Sequence, residues 1–333
     1  MFKKIYNTLF TGSASKIGIW LLAAVVVSQS FLFYKVGYSD KDKEYFKYIN
    51  QEHKIFSFPI PETVDFAGEA MPVKDIEVRE RLNKEIIVNA YWQSQTILLL
   101  QRANRWFPII EPILKQNNIP DDFKYLCVAE SAMANVVSPS GAAGFWQFMK
   151  GTAPQYGLHV GDEVDERYNL EKATQAACDY LQEAKVKNGT WTAAAAGYNM
   201  GMQGVNNQMS EQGTTNFYDL YLNDETSRYV FRITALKLIM SNPKQYGFYV
   251  RQQDKYPTMP FKNVTVGEDG AINWVAVAKE NSISYKLLKY CNPWIRKINF
   301  ANKSKHSYTI KIPTETDATV LQKQLGTDDF SKE

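Results

Sequence analysis

The stretch Tyr125-Leu-Cys-Val-Ala-Glu-Ser-Ala-Met133, continued by Ser138-Pro-Ser-Gly-Ala-Ala-Gly-Phe-Trp-Gln-Phe-Met149, decides the reading of this chain. Pro120 marks a helix start, with Asp121 and Asp122 placed in a first turn where the helix dipole favours negative charge. Phe123, Leu126, Cys127 and Glu130 then recur at i, i+3, i+4 and i+7, which is one helical face. Most glutamates near a helix end are solvated. A carboxylate on an apolar face is costly unless paired or protonated, and burial raises its pKa. A carboxylic acid that keeps its proton near neutral pH can donate it to a leaving oxygen, so Glu130 is the candidate general acid.

The residues that follow fit a groove around that acid. Gly141 and Gly144 bracket two alanines and allow close backbone approach. Trp146, Gln147, Phe148 and Met149 come next, aromatic and amide groups suited to gripping a sugar. Further on, Ala193-Ala-Ala-Ala-Gly-Tyr-Asn199 sets a small-residue helix before a Tyr–Asn pair.

Glu130-Ser131, the Gly-x-x-Gly-x-x-Gln-Phe-Met run from Gly141 to Met149, and Ala-x-Gly-Tyr-Asn from Ala195 to Asn199 occur in that order. Together they resemble the lytic transglycosylase family related to goose-type lysozyme, and within it the membrane-bound D group. The resemblance implies a lysozyme-like all-helical catalytic domain that cleaves the β-1,4 bond between N-acetylmuramic acid and N-acetylglucosamine in peptidoglycan. It implies that Glu130 protonates the glycosidic oxygen and then, as a carboxylate, takes the proton of the muramyl 6-hydroxyl, closing a 1,6-anhydro ring. One residue serving as acid and then base needs a pKa near the working pH. By the same resemblance Tyr198 hydrogen-bonds and orients Glu130. Ser131, Ser138 and Gln147 meet the glycan, and Phe148 and Met149 wall the cleft. Asn199 fixes the loop after its helix, and Glu225 with Tyr229, in a Glu-Thr-x-x-Tyr segment, lies in the cleft. No cofactor is implied.

The whole chain has 333 residues, enough for roughly two domains. With 38 basic against 35 acidic residues there is no broad nucleic-acid footprint. Cys127, Cys178 and Cys291 lack the spacing of a disulfide framework or a zinc site, and His53, His159 and His306 form no metal-ligand pattern. Ile17 to Tyr34 is a strongly apolar run, close to the roughly 20 residues a membrane helix needs. Lys3, Lys4 and Lys16 precede it and the apolar run continues past Ser28-Gln-Ser30, so an uncleaved signal-anchor is expected. The catalytic domain would then stand outside the cytoplasm, on the periplasmic side of an inner membrane, with peptidoglycan strands as its partner.

The expected organisation is a basic segment at 1–16, a membrane anchor at 17–35, a stalk at 36–75, the helical catalytic domain at 76–258, a small C-terminal α+β unit at 259–314 and a polar tail at 315–333. Helices are expected at Ile76–Asn104, Ile109–Gln116, Leu170–Val186 and Glu225–Met240, with one opened by Thr190 and a loop marked by Gly201 and Gly204. The C-terminal unit reads strand, helix, helix, strand, closing on the alternating Tyr308-Thr-Ile-Lys-Ile312, and it resembles the LysM glycan-binding module. Gly267-Glu-Asp-Gly270 stands where that module opens with Gly-Asp-Thr-Leu, so a bracing role is a second reading.

Two other functions remain open. A lysozyme-like hydrolase needs a second acid to hold water, for which Asp162, Asp165 and Glu166 are the candidates. A non-catalytic peptidoglycan scaffold would gain nothing from an acid on an apolar face.

Overall fold

A short hairpin comes first. The computed structural model describes residues 57–323 apart from 269 and 304; the basic segment, the membrane run, the stalk up to residue 56 and the tail from residue 324 lie outside the described residues. Strands β1 (Val64–Phe66) and β2 (Glu69–Met71) pair antiparallel, Val64 opposite Met71, and turn through Ala67 and Gly68 at positive φ. This corrects the expectation of a stalk up to residue 75. Phe66 is fully buried with its ring edge-on to Phe123, centroids 5.3 Å apart, and the Ala67 N–H donates to Asp122 Oδ2 at 2.6 Å. The strands are too short to show a period in sequence, yet their buried residues belong to the helical core.

Helix α1 (Ile76–Tyr91) is capped by Asp75, whose side chain accepts from the N–H groups of Glu77 and Val78. The helix expected from Ile76 to Asn104 breaks at Trp92. A single α2 (Gln93–Gln116) then runs through Pro108 and Pro112, where the sequence suggested two helices. Each proline removes one internal hydrogen bond. Burial of Ile110 and Leu114 beyond them offsets the loss. Helix α3 (Phe123–Ser131) is central: Phe123 through Val128 are all buried, and it packs against α2 and α7 (Asp224–Ser241). Asp121 and Asp122 make ion pairs, with Lys124 and Lys237 respectively, rather than capping α3.

Between them lie α4 (Leu170–Asn188), α5 (Trp191–Met200) and α6 (Met202–Gln212), capped in turn by Asn169, by Thr190 and by no side chain. Gly204 sits inside α6, so only Gly201 marks a break. Glu69 from the hairpin accepts hydrogen bonds from the N–H groups of Trp191 and Thr192 at 2.7 and 2.8 Å, placing a carboxylate at the start of α5. Asn223 caps α7, and Glu85 of α1 meets Arg228 of α7 at 2.6 Å, fixing the rotation of α7 against α1.

In the C-terminal unit two further short strands join the expected strand, helix, helix and strand. Strand β3 (Phe261–Val266) pairs antiparallel with β6 (Tyr308–Pro313), Val264 opposite Ile310. Between them come β4 (Ile272–Asn273), α8 (Trp274–Glu280), α9 (Tyr285–Cys291) and β5 (Asn299–Phe300), with β4 paired to β5. Helix α10 (Ala318–Lys323) follows. The unit's core of Trp274, Leu288, Trp294 and Ile310 continues into Ala143, Val164 and Tyr168 of the helical domain. The Asp165 N–H donates to the Trp294 carbonyl at 2.9 Å, and the Arg296 guanidinium lies 4.2 Å from the Tyr168 ring centre.

Candidate active site

Glu130 ends α3. The chain leaves the helix through Ala132 and Met133, both at positive φ, and two arginines hold the helix-end carbonyls. Arg232 of α7 donates to the Ala129 carbonyl at 2.7 Å, and Arg102 of α2 donates to that of Ala132 at 2.9 Å. Helix-end carbonyls have no partner in their own helix and carry partial negative charge, so cations there are favourable. The Arg232 Nε is buried with no hydrogen-bond partner among the described residues, and its charge acts on the acid.

The half-buried Glu130 side chain receives the hydroxyl of Tyr229, from α7, on Oε1. Burial pushes its pKa above the usual carboxylate value. The Tyr229 hydrogen bond and the charge of Arg232 pull it part of the way back, and the charge of Glu225 raises it. Burial and the same carboxylate push the phenols of Tyr229 and Tyr198 well above their usual range, and likewise the Cys127 thiol. These groups enclose one acid.

The expectation that Tyr198 orients Glu130 by a hydrogen bond is corrected. The Tyr198 hydroxyl donates to the Trp146 carbonyl at 2.8 Å, and Tyr229 binds the acid. Tyr198 instead packs its ring among Trp146, Phe148 and Tyr180, linking α5 to the Gly141–Met149 loop. The geometry follows from helix order: α7 packs directly on α3, whereas Tyr198 ends α5 facing the loop.

Gln147 takes a left-handed backbone conformation, φ 49°, which is uncommon for a residue with a side chain. Its amide nitrogen donates to the carbonyls of Val136 at 3.1 Å and Gly144 at 2.7 Å. Among the described residues no hydrogen bond to its amide oxygen accompanies these two. Ser138 caps the same loop, its hydroxyl accepting from the Ala142 N–H at 3.0 Å. Ser131 is buried with its hydroxyl on the Cys127 carbonyl, so it faces its own helix. Phe148 is buried among Tyr156 and Tyr198, while Met149 is exposed.

Glu225 is exposed on the first turn of α7 and accepts from Asn199 Nδ2 at 3.2 Å. The Asn199 side-chain Oδ1 accepts from the Thr226 hydroxyl at 2.8 Å, so Asn199 ties the end of α5 to the start of α7.

The three candidates for a second acid are paired or exposed. Asp165 forms a buried two-point pair with Arg167, Oδ1 to Nε at 3.0 Å and Oδ2 to Nη2 at 2.7 Å. Arg167 Nη1 in turn donates to the carbonyls of Gly141 and Phe148, at 2.9 and 3.1 Å, clamping the loop at both ends. Glu166 pairs with Lys172 and accepts from the His159 N–H at 2.9 Å. Asp162 is exposed. Gly144 is the point of closest approach: a Cβ there would lie 1.9 Å from the Arg167 carbonyl oxygen, and its φ is +81°. Among the described residues no group of His, Cys, Asp and Glu has the arrangement of a metal site.

Sequence reasoning missed Arg232 and Arg167, and it gave Tyr229 only a place in the cleft. Each acts across a large chain separation or through backbone carbonyls, which leaves no local pattern to read.

Residues 107–221 match the family described as Transglycosylase SLT domain, and residues 262–316 match that described as Soluble lytic transglycosylase C-terminal LysM-like domain. Over 225 residues the chain is 28% identical to membrane-bound lytic murein transglycosylase D of Escherichia coli strain K12, an alignment covering 66% of this chain and 48% of the relative. The protein of the same description from Escherichia coli strain CFT073 aligns with the same figures. The chain thus spans about half the length of these curated relatives. Tyr229 and Arg232 lie beyond the first matched segment, on the helix that follows it. The chain is therefore similar to the transglycosylase SLT domain over residues 107–221 and to the LysM-like domain over residues 262–316.

Proposed function

We propose that this protein is a peptidoglycan lytic transglycosylase that cleaves the β-1,4 bond between N-acetylmuramic acid and N-acetylglucosamine and leaves a 1,6-anhydromuramyl end. The observation that carries the reading is the state of Glu130: half-buried, raised in pKa, and bound on Oε1 by a phenol that itself stays protonated. With Oε1 occupied, Oε2 is the oxygen that gives its proton to the glycosidic oxygen as the bond to the anomeric carbon breaks. The muramyl 6-hydroxyl oxygen then bonds to that carbon and its proton returns to Glu130, so the acid is regenerated and no water enters. Tyr229 holds the carboxyl and, with the charge of Arg232, partly stabilises its charged form between the two steps. Gln147 offers its amide oxygen to the sugar, Met149 and the Tyr198–Phe148 cluster shape the wall, and Asn199 with Glu225 forms the rim.

The SLT match and the relatives' printed activity on murein support this reaction class. The relatives are described as membrane-bound, which supports reading the apolar run at Ile17–Tyr34 as an anchor with the domain outside the cytoplasm. Among the described residues no helix is long and apolar enough to cross a membrane. Incubation of the purified protein with intact glycan strands tests the reading: 1,6-anhydro ends are the expected product, and an absence of strand cleavage removes it.

One observation favours the hydrolase as a second reading. Glu225, exposed on the first turn of α7, acts electrostatically on Glu130 and is a carboxylate that a water-activating role could use. Asp162, Asp165 and Glu166 offer that reading no support, so Glu225 is the residue on which it depends.

A further inference from the structure

The segment that runs on from Asn199 is depleted in charge. From Asn199 to Tyr218 the only charged residue is Glu211, in a chain that is 22% charged. Met202, Val205 and Met209 turn one face of α6 into the core, while Gln203, Asn207 and Gln212 stand exposed. These amides align one another: Gln203 Nε2 donates to Asn207 Oδ1 at 2.8 Å, and Gln212 Nε2 to Gln208 Oε1 at 2.8 Å. Gln212 also holds the loop that leads into α7. Its Nε2 donates to the Tyr221 carbonyl at 2.9 Å, and its Oε1 accepts from the Tyr221 N–H at 2.8 Å. Leu220 and Leu222 on either side are buried, so the Tyr221 side chain is turned outward and is 84% exposed.

Single exposed aromatic rings are common on protein surfaces. This one is fixed through both its backbone groups beside a row of neutral amides, so a ligand that stacks on it has little left to order. Each amide also keeps donor or acceptor capacity beyond the bonds above. A flat ring next to neutral amides suits an N-acetylated sugar, which presents a face of C–H groups and an edge of hydroxyl and amide groups. The surface is continuous with the rim of the cleft. Asn199 lies three residues before the first residue of α6, and Tyr221 lies four before Glu225, so the Cα atoms of Tyr221 and Glu225 are at most about 14 Å apart. Resting on the transglycosylase reading, we propose that Tyr221 and the exposed amides of α6 form a distal glycan-binding surface, on which the uncleaved part of the strand lies beyond the Asn199–Glu225 rim. Tyr221 stacks on a sugar ring, and the amides take N-acetyl and hydroxyl groups. The protein then favours long strands over short ones.

The test uses the full chain in two ways. With Glu130→Gln in place to suppress turnover, it is titrated calorimetrically with N-acetylchitohexaose and with N-acetylchitotriose; without that change, it acts on glycan strands of graded length. Tyr221→Ala removes the ring from an exposed position and Tyr221→Trp keeps one. Unchanged circular dichroism and melting establish their folding. The hexaose should bind more tightly than the triose, with little dependence on salt because no charge is engaged. Tyr221→Ala should lower the ratio of hexaose to triose affinity roughly fivefold, and Tyr221→Trp should keep it. The preference in kcat/KM for long strands should shrink likewise in Tyr221→Ala, through KM. Equal affinity for the two oligosaccharides before Tyr221 is changed overturns the inference, as does an equal loss for both in Tyr221→Ala. Hexaose binding that Tyr221→Ala leaves intact also overturns it, and is the result expected of a surface that takes a protein instead. Cleavage of strands with no length preference removes the role of this surface and leaves the transglycosylase standing; Tyr221-dependent hexaose binding without strand cleavage does the reverse.

Discussion

The hydroxyl of Tyr229 donates to Glu130 Oε1 across a chain separation of 99 residues, joining the second turn of α7 to the last turn of α3. One turn further along α7, Arg232 holds the carbonyl of the residue before Glu130. The acid is thus set by two contacts from one helix, and α7 is itself fixed to α1 by the Glu85–Arg228 pair.

Glu130→Gln keeps the shape of the side chain and removes the transferable proton. Strand cleavage should fall by at least about 10²-fold, since general acid catalysis typically contributes 10²–10⁴-fold. Turnover within a factor of ten of native, in a protein with native circular dichroism, takes Glu130 out of the acid–base role.

The same substitution carries a stability signature. Glu130 has a folded pKa above its unfolded value, so between the two the folded state binds more protons, and stability falls as pH rises through that window. The loss persists above the window. The melting temperature of Glu130→Gln should therefore exceed that of the native protein at pH 7, with the gain disappearing at pH values below the ordinary carboxylate value of 4.5. A gain of the same size at both pH values contradicts the account.

The neighbours of the acid shift it in opposite directions. Arg232→Gln removes a charge that lowers the Glu130 pKa, so the high-pH limb of the kcat/KM profile should move upward. Glu225→Gln removes a charge that raises it, and the limb should move downward with substantial activity kept. Shifts of the same sign in both variants, or loss of all activity in Glu225→Gln, argue against the assignment; the latter outcome supports the hydrolase.

Two structural positions separate bracing from chemistry. Asp165→Asn leaves Arg167 buried without its carboxylate, a change that typically costs about 3–5 kcal/mol. Its melting temperature should drop markedly. Glu166→Gln and Asp162→Asn should leave substantial activity. Gly144→Ala should prevent the loop from closing on the Arg167 carbonyl and yield little folded protein in expression and circular dichroism. A stable, active Gly144→Ala protein would show that the close approach is dispensable.

Much of the scaffold was legible because it is written locally. The face of Phe123, Leu126, Cys127 and Glu130 follows from helical period, and the helix opened by Thr190 and the closing strand from Tyr308 sit near their expected positions. The hairpin from Val64 to Met71 was not legible, because three-residue strands show no alternation and their burial depends on Phe123. The partner of the acid was assigned to Tyr198, since its Gly-Tyr-Asn setting is a local signal, whereas the helix packing that brings Tyr229 to Glu130 is not. Asp165 and Glu166 read as free acids because their partners, Arg167 and Lys172, bind them only once the backbone turns.

The central claim, an intramolecular nucleophile in place of water, is tested most directly by mass spectrometry of the muropeptides released from purified peptidoglycan. A hydroxyl already held beside the anomeric carbon has the advantage of proximity and needs no second acid to position water. The account predicts muramyl products lighter by one water than hydrolysed ones and resistant to borohydride reduction. Reducing muramyl ends as the main product, lost in Glu225→Gln, would contradict it and make this protein a lysozyme-type hydrolase.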